Sequence, residues 1–212
     1  MIAAVDEFIL YDTTQYTRRD WRNRNQIKTP QGVQWLSVPV KVKGQYHQLI
    51  CETEIDGTNW AQMHWKAFVQ NYRRAPHFDE VSVLFEPVYR QSKHTHLSIL
   101  NRDLIEVICA YLGITTKISS SRDYRSIAGQ SERLADFCVQ AGATEYISGP
   151  LAKDYLDEKP FAERGIKLTW FDYEGYPEYP QLWGPFTHGV TILDLLFNCG
   201  RETCRYMRYV RP

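Results

Sequence analysis

No stretch of this 212-residue chain approaches the roughly 20 consecutive apolar residues that cross a bilayer, so a helical membrane span is excluded. The N-terminus has neither the basic region nor the small-residue cleavage site of a signal peptide. The five cysteines (Cys51, Cys109, Cys138, Cys199 and Cys204) are odd in number and show no CxxC spacing. A disulfide framework is therefore not expected, and a reduced, cytoplasmic interior is. Net charge is absent too, with 25 Lys+Arg against 25 Asp+Glu. That argues against a protein whose whole surface grips nucleic acid. There is no GxxxxGK[ST], no GxGxxG and no GxSxG, so none of the familiar nucleotide or nucleophile motifs applies.

What the chain does have is rings. Aromatics make up 14% of it, with 14 Tyr and 6 Trp, on an otherwise ordinary globular composition. Rings in that number either fill a core or line a surface that holds something flat. No repeat or low-complexity tract divides the sequence, which reads as one unit over residues 1–212. A helix tail and a buried strand are expected through Phe8-Ile9-Leu10-Tyr11. The alternation from Trp35 to Val42, then Lys43-Gly44 and Tyr46 to Ile50, predicts a hairpin over residues 35–50 with Pro39 at a sheet edge. Helices are expected over 60–74, from Asn101 to Leu112, over 131–141, near 151–164, and over 191–197. Strands are expected at Val81–Phe85, at Tyr146-Ile147-Ser148 and at Ile166–Phe171. This alternation favours an α/β fold with a mainly parallel sheet covered by helices.

Three clusters carry polar chemistry. Residues 11–25 mix Arg18, Arg19, Arg22 and Arg24 with Tyr16 and Trp21 after a strand. Arginine forks match phosphate or carboxylate, and rings stack on bases or sugars. The plain alternative is a solvated basic loop whose rings plug the core. His64 and Asn71 lie seven apart on one helical face, beside Tyr72, Arg73, Arg74 and His77. His64 is the candidate general base, and a buried histidine satisfied by a backbone carbonyl is the alternative. Residues 173–186 combine five rings with Pro and Gly, as a wrapping segment or a substrate-lining loop. His94-Thr95-His96 has strand spacing for a metal but no acidic or Cys companion, so no metal site is assigned. Asp194, set among Ile192, Leu193, Leu195, Leu196 and Phe197, needs a partner if buried; the Arg-rich loop is the expected one, making a structural ion pair.

Taken in order, Asp12-Thr13-Thr14-Gln15-Tyr16, Arg19-Asp20-Trp21-Arg22-Asn23-Arg24-Asn25-Gln26-Ile27 and Trp35-Leu36-Ser37-Val38-Pro39-Val40 resemble the WbqC-like family. The resemblance continues through Trp60, His64 and Tyr72-Arg73-Arg74-Ala75-Pro76-His77-Phe78. It resumes in Leu112-Gly113-Ile114, Tyr146-Ile147-Ser148-Gly149 and Tyr179-Pro180-Gln181, and it ends in Ile192 to Gly200. It implies a cytoplasmic protein of bacterial O-antigen and surface-polysaccharide (lipopolysaccharide) biosynthesis that modifies a nucleotide-linked sugar, by glycyl, other aminoacyl or acyl transfer to an amino sugar. One departure stands out. Members carry an upstream strand, a Gln-Pro-x-Tyr-Phe-Pro loop and a helix before Ala-Ala-Val-Asp-Glu-Phe, whereas this chain starts at Met1-Ile2-Ala3-Ala4. The absent loop is similar to the first phosphate-binding turn of nucleotidyltransferase-like folds, which would cost this chain a central strand and part of a ligand site.

On the enzyme reading His64 and Asp12 are catalytic. Gln15, Tyr16, Arg19, Trp21, Arg22, Asn23, Arg24, Tyr72, Tyr179 and Gln181 bind a sugar nucleotide. No cofactor is read from the sequence beyond ATP or the nucleotide-sugar itself. The alternative is a non-catalytic protein that recognises a sugar nucleotide or a biosynthetic partner. RNA binding by the basic loop is disfavoured by net neutrality.

Overall fold

The computed structural model describes residues 1–210. Among the described residues the chain is mixed α/β, with two short parallel sheets, one antiparallel hairpin and six α-helices. In chain order these are β1 (Glu7–Leu10), β2 (Arg24–Thr29), β3 (Gly32–Ser37), α1 (Asn59–Tyr72), α2 (Phe78–Arg90), α3 (Leu97–Leu112), β4 (Lys117–Ser120), α4 (Gln130–Gln140), β5 (Glu145–Ser148), α5 (Lys159–Ala162), β6 (Lys167–Trp170) and α6 (Ile192–Cys199). They assemble two compact units, each with its own core and each drawn from discontinuous stretches. Met1–Tyr11 joins Thr116–Gly175 in the first, and Asp12–Thr115 joins the residues from Tyr176 onward in the second.

The first unit contains two parallel pairs. β1 lies in register with β4, Phe8 opposite Ile118, and β5 with β6, Tyr146 opposite Leu168. α4 turns its Ala135, Phe137 and Cys138 inward, and Tyr146 stacks on the fully buried Phe161. β4 has no counterpart in the sequence reading, because four residues reading Lys-Ile-Ser-Ser carry too little alternation to separate from a loop.

The second unit is built on α1, α2, α3 and α6. Val81–Phe85, expected as a strand, lies inside α2. Phe78, Val81, Ser82, Phe85 and Tyr89 are buried while Val83 and Leu84 are exposed, a 3.6-residue period that a five-residue window hides. α3 begins at Leu97 rather than Asn101 and closes on Gly113, whose φ of 66° supplies the left-handed turn. The expected 151–164 helix is a 3₁₀ turn at Pro150–Asp154 followed by the single turn of α5. The hairpin is formed by β2 and β3, so Trp35–Ser37 is its second arm. Its turn is Pro30-Gln31, held by Thr29 Oγ1 donating to the Gly32 carbonyl at 2.8 Å.

Ten of the rings lie buried in this core. Tyr89 meets Phe68 at 5.3 Å and Trp60 at 6.0 Å between centroids. Phe197 meets Phe78 at 5.0 Å and Tyr72 at 5.1 Å. Such pairs add about 0.5–1.5 kcal/mol each beyond the area they bury.

α6 ends at Gly200, with φ 51° and ψ −130°, and a β-carbon there would run into the His77 ring. Gly44 also has positive φ (76°), but it faces open space. Gly200→Ala should therefore cost at least about 2 kcal/mol in urea unfolding, and Gly44→Ala only about 1 kcal/mol. Equal costs would show that His77 yields and that only backbone strain matters.

Candidate functional site

The second unit holds a cavity of about 360 Å³. Trp21, Arg22, Asn23 and Arg24 stand on one side, Asn101 and Leu104 of α3 on another, and His64 and Trp60 of α1 face it, with Thr191 and Ile192 at the start of α6. These residues come from four separate parts of the chain, brought together by the helix packing.

The basic segment is held by side-chain hydrogen bonds within itself and by ties to Val38 and Asn101. Asp20 caps the 3₁₀ turn Trp21–Asn23 by accepting from the Trp21 N–H at 2.6 Å, and it pairs with Arg22, whose Nη1 also donates to Thr17 Oγ1 at 2.6 Å. Asn23 locks onto Val38 in both directions, its carbonyl accepting the Val38 N–H at 2.7 Å and its Nδ2 donating to the Val38 carbonyl at 2.8 Å. Asn101 donates to the Arg22 carbonyl at 2.9 Å, which ties the turn to α3. Arg19 takes a positive φ of 60°, the sole non-glycine to do so among the described residues, and turns its carbonyl to accept from Arg24 Nη2. The Arg24 guanidinium lies 4.3 Å from the Trp35 ring centroid, and Trp35 in turn meets Trp21 at 5.0 Å. The result is a layered cation–aromatic patch whose outer ring, Trp21, is 58% exposed. Arg24 Nε is buried there with no hydrogen-bond partner, a costly state for a cationic donor.

His64 is buried, edge-on to Trp60 at 5.3 Å. Its Nε2 lies 3.1 Å from the Ser37 carbonyl and donates to it in the neutral ring, which leaves Nδ1 as the acceptor. Burial pulls its pKa below the ordinary histidine value, against the Ser37 hydrogen bond. The ring is thus kept neutral.

The other sequence-flagged residues lie elsewhere in the unit. Gln15 donates to the Tyr46 carbonyl at 2.9 Å, and the Tyr16 N–H to that of Gln48 at 2.9 Å, so this stretch is stitched to residues 46–51. Tyr16 is buried, and burial raises its pKa despite Arg18, Arg22 and Arg24 nearby. The Asp12 carbonyl accepts from the Cys51 N–H at 3.0 Å.

Tyr72, Tyr179, Gln181 and Asp194 form a separate network, with Tyr72 and Asp194 buried and Tyr179 and Gln181 half-buried. The Tyr72 and Tyr179 hydroxyls each donate to one Asp194 oxygen at 2.8 Å. The Tyr72 oxygen accepts the Lys28 N–H at 2.8 Å, and the Tyr179 oxygen accepts from Gln181 Nε2 at 3.0 Å. Lys28 Nζ reaches Gln181 Oε1 at 2.5 Å and the Pro185 carbonyl. Burial pushes the Asp194 carboxyl above its usual range, with Tyr72, Tyr179, Gln181 and the Lys28 charge pulling it back. The Arg-rich loop, expected to neutralise Asp194, is thus replaced by two tyrosine hydroxyls and a buried lysine. Opposite charge is the obvious guess for a buried carboxylate, but hydroxyl donors satisfy it without a second desolvated ion in direct contact.

Sequence reasoning missed Lys28, Trp35, Asn101 and Thr191. Lysine is normally exposed, so nothing marks Lys28 in advance. Trp35, by contrast, stood in an alternating strand ten residues or so from the Arg cluster. His94 meets Asp103 at 2.7 Å and Ser92 at 3.0 Å, while His96 meets Thr95. Among the described residues no group of three or more His, Cys, Asp or Glu is placed to hold a metal ion.

Set beside known proteins, residues 1–206 match the sequence profile of the WbqC-like protein family. The chain belongs to the WbqC-like family. A relative, "Uncharacterized protein Rv1507c" of Mycobacterium tuberculosis (strain ATCC 25618 / H37Rv), is 57% identical over 211 residues, covering 100% of this chain and 91% of that protein. No solved structure matches. In this WbqC-like chain the Arg–aromatic segment and His64 therefore belong to a full-length family match, not to a local motif.

Two measurements check the site's electrostatics. Because folding depresses the His64 pKa, the unfolded chain takes up the proton first as pH falls through about 6.5, and stability is lost there. Wild type should lose more stability between pH 7.5 and 5.5 than His64→Gln, which keeps a donor for Ser37; identical pH slopes would contradict this. Asp194→Asn should cost about 2–4 kcal/mol at pH 7, since it turns a donor toward Tyr72 or Tyr179 and strands the Lys28 charge.

Proposed function

We propose that this protein binds a nucleotide-linked amino sugar in the second unit's cavity and transfers an acyl or aminoacyl group to the sugar amine, in bacterial surface-polysaccharide (O-antigen) biosynthesis. The observation that carries this reading is convergence: Trp21, Arg22, Asn23, Arg24 and His64 line one cavity. The family membership supports it through the chemistry the resemblance implies. A phosphate oxygen of the ligand would satisfy the orphaned Arg24 Nε, and the exposed Trp21 face would stack on a flat ring.

In the transfer itself the sugar amine attacks the carbonyl carbon of an activated acyl group, such as an acyl adenylate made with ATP. The new C–N bond forms, the leaving group departs with the electron pair of its bond to carbon, and the amine proton passes to a base. His64, kept neutral by its surroundings, is the candidate base through Nδ1. No described helix is long and apolar enough to cross a membrane, and the substrate's nucleotide would place the reaction in the cytoplasm.

One observation favours binding without turnover: His64 Nε2 is engaged by a backbone carbonyl, as in a structural histidine. The two readings separate in one experiment. Protein is incubated with UDP-, dTDP- and GDP-amino sugars, glycine and ATP, and both binding and product mass are followed. Arg24→Ala should weaken nucleotide-sugar binding about 10- to 100-fold. His64→Gln should abolish product while sparing affinity if the transferase reading holds. Binding with no product in wild type would leave a recognition protein, and no binding at all would remove both readings.

A further inference from the structure

In the second unit, away from the cavity described above, three side chains are joined as a nucleophile, a base and a carboxylate. His94 Nε2 lies 2.7 Å from Asp103 Oδ2, and His94 Nδ1 lies 3.0 Å from Ser92 Oγ. A carboxylate only accepts, so in the neutral ring Nε2 carries the proton and donates it to Asp103. Nδ1 then keeps its lone pair, and the Ser92 hydroxyl donates to it. This is the hydrogen-bond order of a serine acyl-transfer triad, with the two ring nitrogens exchanged relative to the serine proteases, where the nucleophile meets Nε2. The exchange leaves the chemistry intact, because either imidazole nitrogen accepts a proton while the other N–H is held.

The ring is fixed in place. The His94 side chain is only 13% exposed. The segment that carries it is stitched to residues 53–55, the Ile55 N–H donating to the Thr95 carbonyl at 2.8 Å and the Leu97 N–H to the Thr53 carbonyl at 2.9 Å. Asp103 stands in the second turn of α3, so a helix holds the carboxylate.

Ser92 also lines a groove, which a purely structural Ser–His pair does not require. It lies two residues past the end of α2, and the groove measures about 890 Å³. Ala61, Trp65 and Val69 of α1 and Tyr89 of α2 give the groove an apolar lining, and Lys66 adds a positive charge. The amides of Ser92 and Lys93 donate to no protein group among the described residues, which leaves two backbone donors beside the nucleophile for a developing oxyanion. Trp60, His64 and Phe68, on the other side of α1, line the cavity of the proposed function, and none of Ser92, His94 and Asp103 does.

We propose that Ser92, His94 and Asp103 form a second reactive centre, which hydrolyses carboxylic esters with an apolar acyl group through an acyl-Ser92 intermediate. Ser92 Oγ attacks the ester carbonyl carbon as its proton passes to His94 Nδ1. The carbon–oxygen bond to the alcohol then breaks, and the alcohol oxygen leaves with the electron pair and takes that proton. Water attacks the acyl carbon next, giving a proton to Nδ1, and Ser92 Oγ departs and recovers it. Ester and water become acid and alcohol. Asp103 is a positioning residue: it holds the Nε2–H and stabilises the imidazolium of each step.

Labelling of the full chain with a fluorophosphonate, located by peptide mass spectrometry, tests the nucleophile, and hydrolysis of p-nitrophenyl butyrate tests turnover. Wild type should carry the probe on Ser92 and release nitrophenol at a rate that falls in acid, where a protonated ring cannot accept the serine proton. Ser92→Ala should remove both signals, and His94→Gln should slow both at least about 100-fold, the size of a general-base contribution. Asp103→Asn should lower kcat at least about 10-fold with little change in KM, because the amide no longer fixes the tautomer. If His94→Gln fails to fold, Ser92→Ala, which alters one half-buried side chain, still decides. Absence of labelling or of hydrolysis in wild type would overturn the proposal. So would a probe found on another residue, hydrolysis that survives Ser92→Ala, or Ser92 labelling that a folded His94→Gln variant leaves unslowed.

Discussion

The second unit depends on how one buried carboxylate is satisfied. Asp194 sits fully buried near the start of α6, where an ionised side chain without partners would cost several kcal/mol. Its oxygens are taken by Tyr72 at the end of α1 and Tyr179 in the long segment before α6. Through Gln181 and Lys28 the same network reaches strand β2 and the carbonyl of Pro185. Gln181 closes the segment on itself, donating to the Thr187 carbonyl and accepting the Thr187 N–H, each at 2.9 Å. A proline- and glycine-rich stretch with no regular structure is thereby given a fixed path.

That path matters for the cavity. The Thr191 N–H donates to the Gln26 carbonyl at 2.7 Å, so the residue that caps α6 is pinned to β2, which follows directly on the Arg–aromatic turn. Thr191 and Ile192 then form one wall of the space that Arg22, Arg24 and His64 line. Trp183 adds a second tie, its Nε1 donating to the Asn71 carbonyl at 2.8 Å. The polar network and the candidate site are thus two ends of one structure. The first has its polar groups paired with one another, and the second keeps a buried arginine donor without a partner. A partly satisfied polar group is expensive, and such expense is commonly met where a ligand completes the set.

Much of this was legible in the sequence, and what was not has physical reasons. α1, α3, α4 and α6 follow from apolar residues at helical spacing over eleven or more positions, or from a short dense run with a capping threonine. α2 failed because Val81–Phe85 alone looks like a strand, and only Phe78 and Tyr89 at its flanks reveal the period. The hairpin expected over 35–50 forms instead over Arg24–Ser37, with no strand at 46–50, because Lys43-Gly44 is a stronger turn signal than Pro30-Gln31. Asp194 was recognised as needing a partner, yet Tyr72 lies 122 residues away and no local pattern joins them. The Arg segment was recognised by composition. That His64 shares its cavity is a product of helix packing, which a single sequence does not encode locally.

The central claim is that the Asp194 network holds the segment before α6, and with it one wall of the cavity. The direct measurement is amide exchange at Thr187 and Thr191 in Tyr179→Phe, which removes one hydroxyl from the hub and little volume. The account predicts that both amides lose protection about 10-fold or more, in step with a global loss of about 1–3 kcal/mol or ahead of it, while amides in α3 change no more than the global loss requires. Unchanged protection at Thr187 and Thr191 would contradict it, because the segment would then keep its path without the hub.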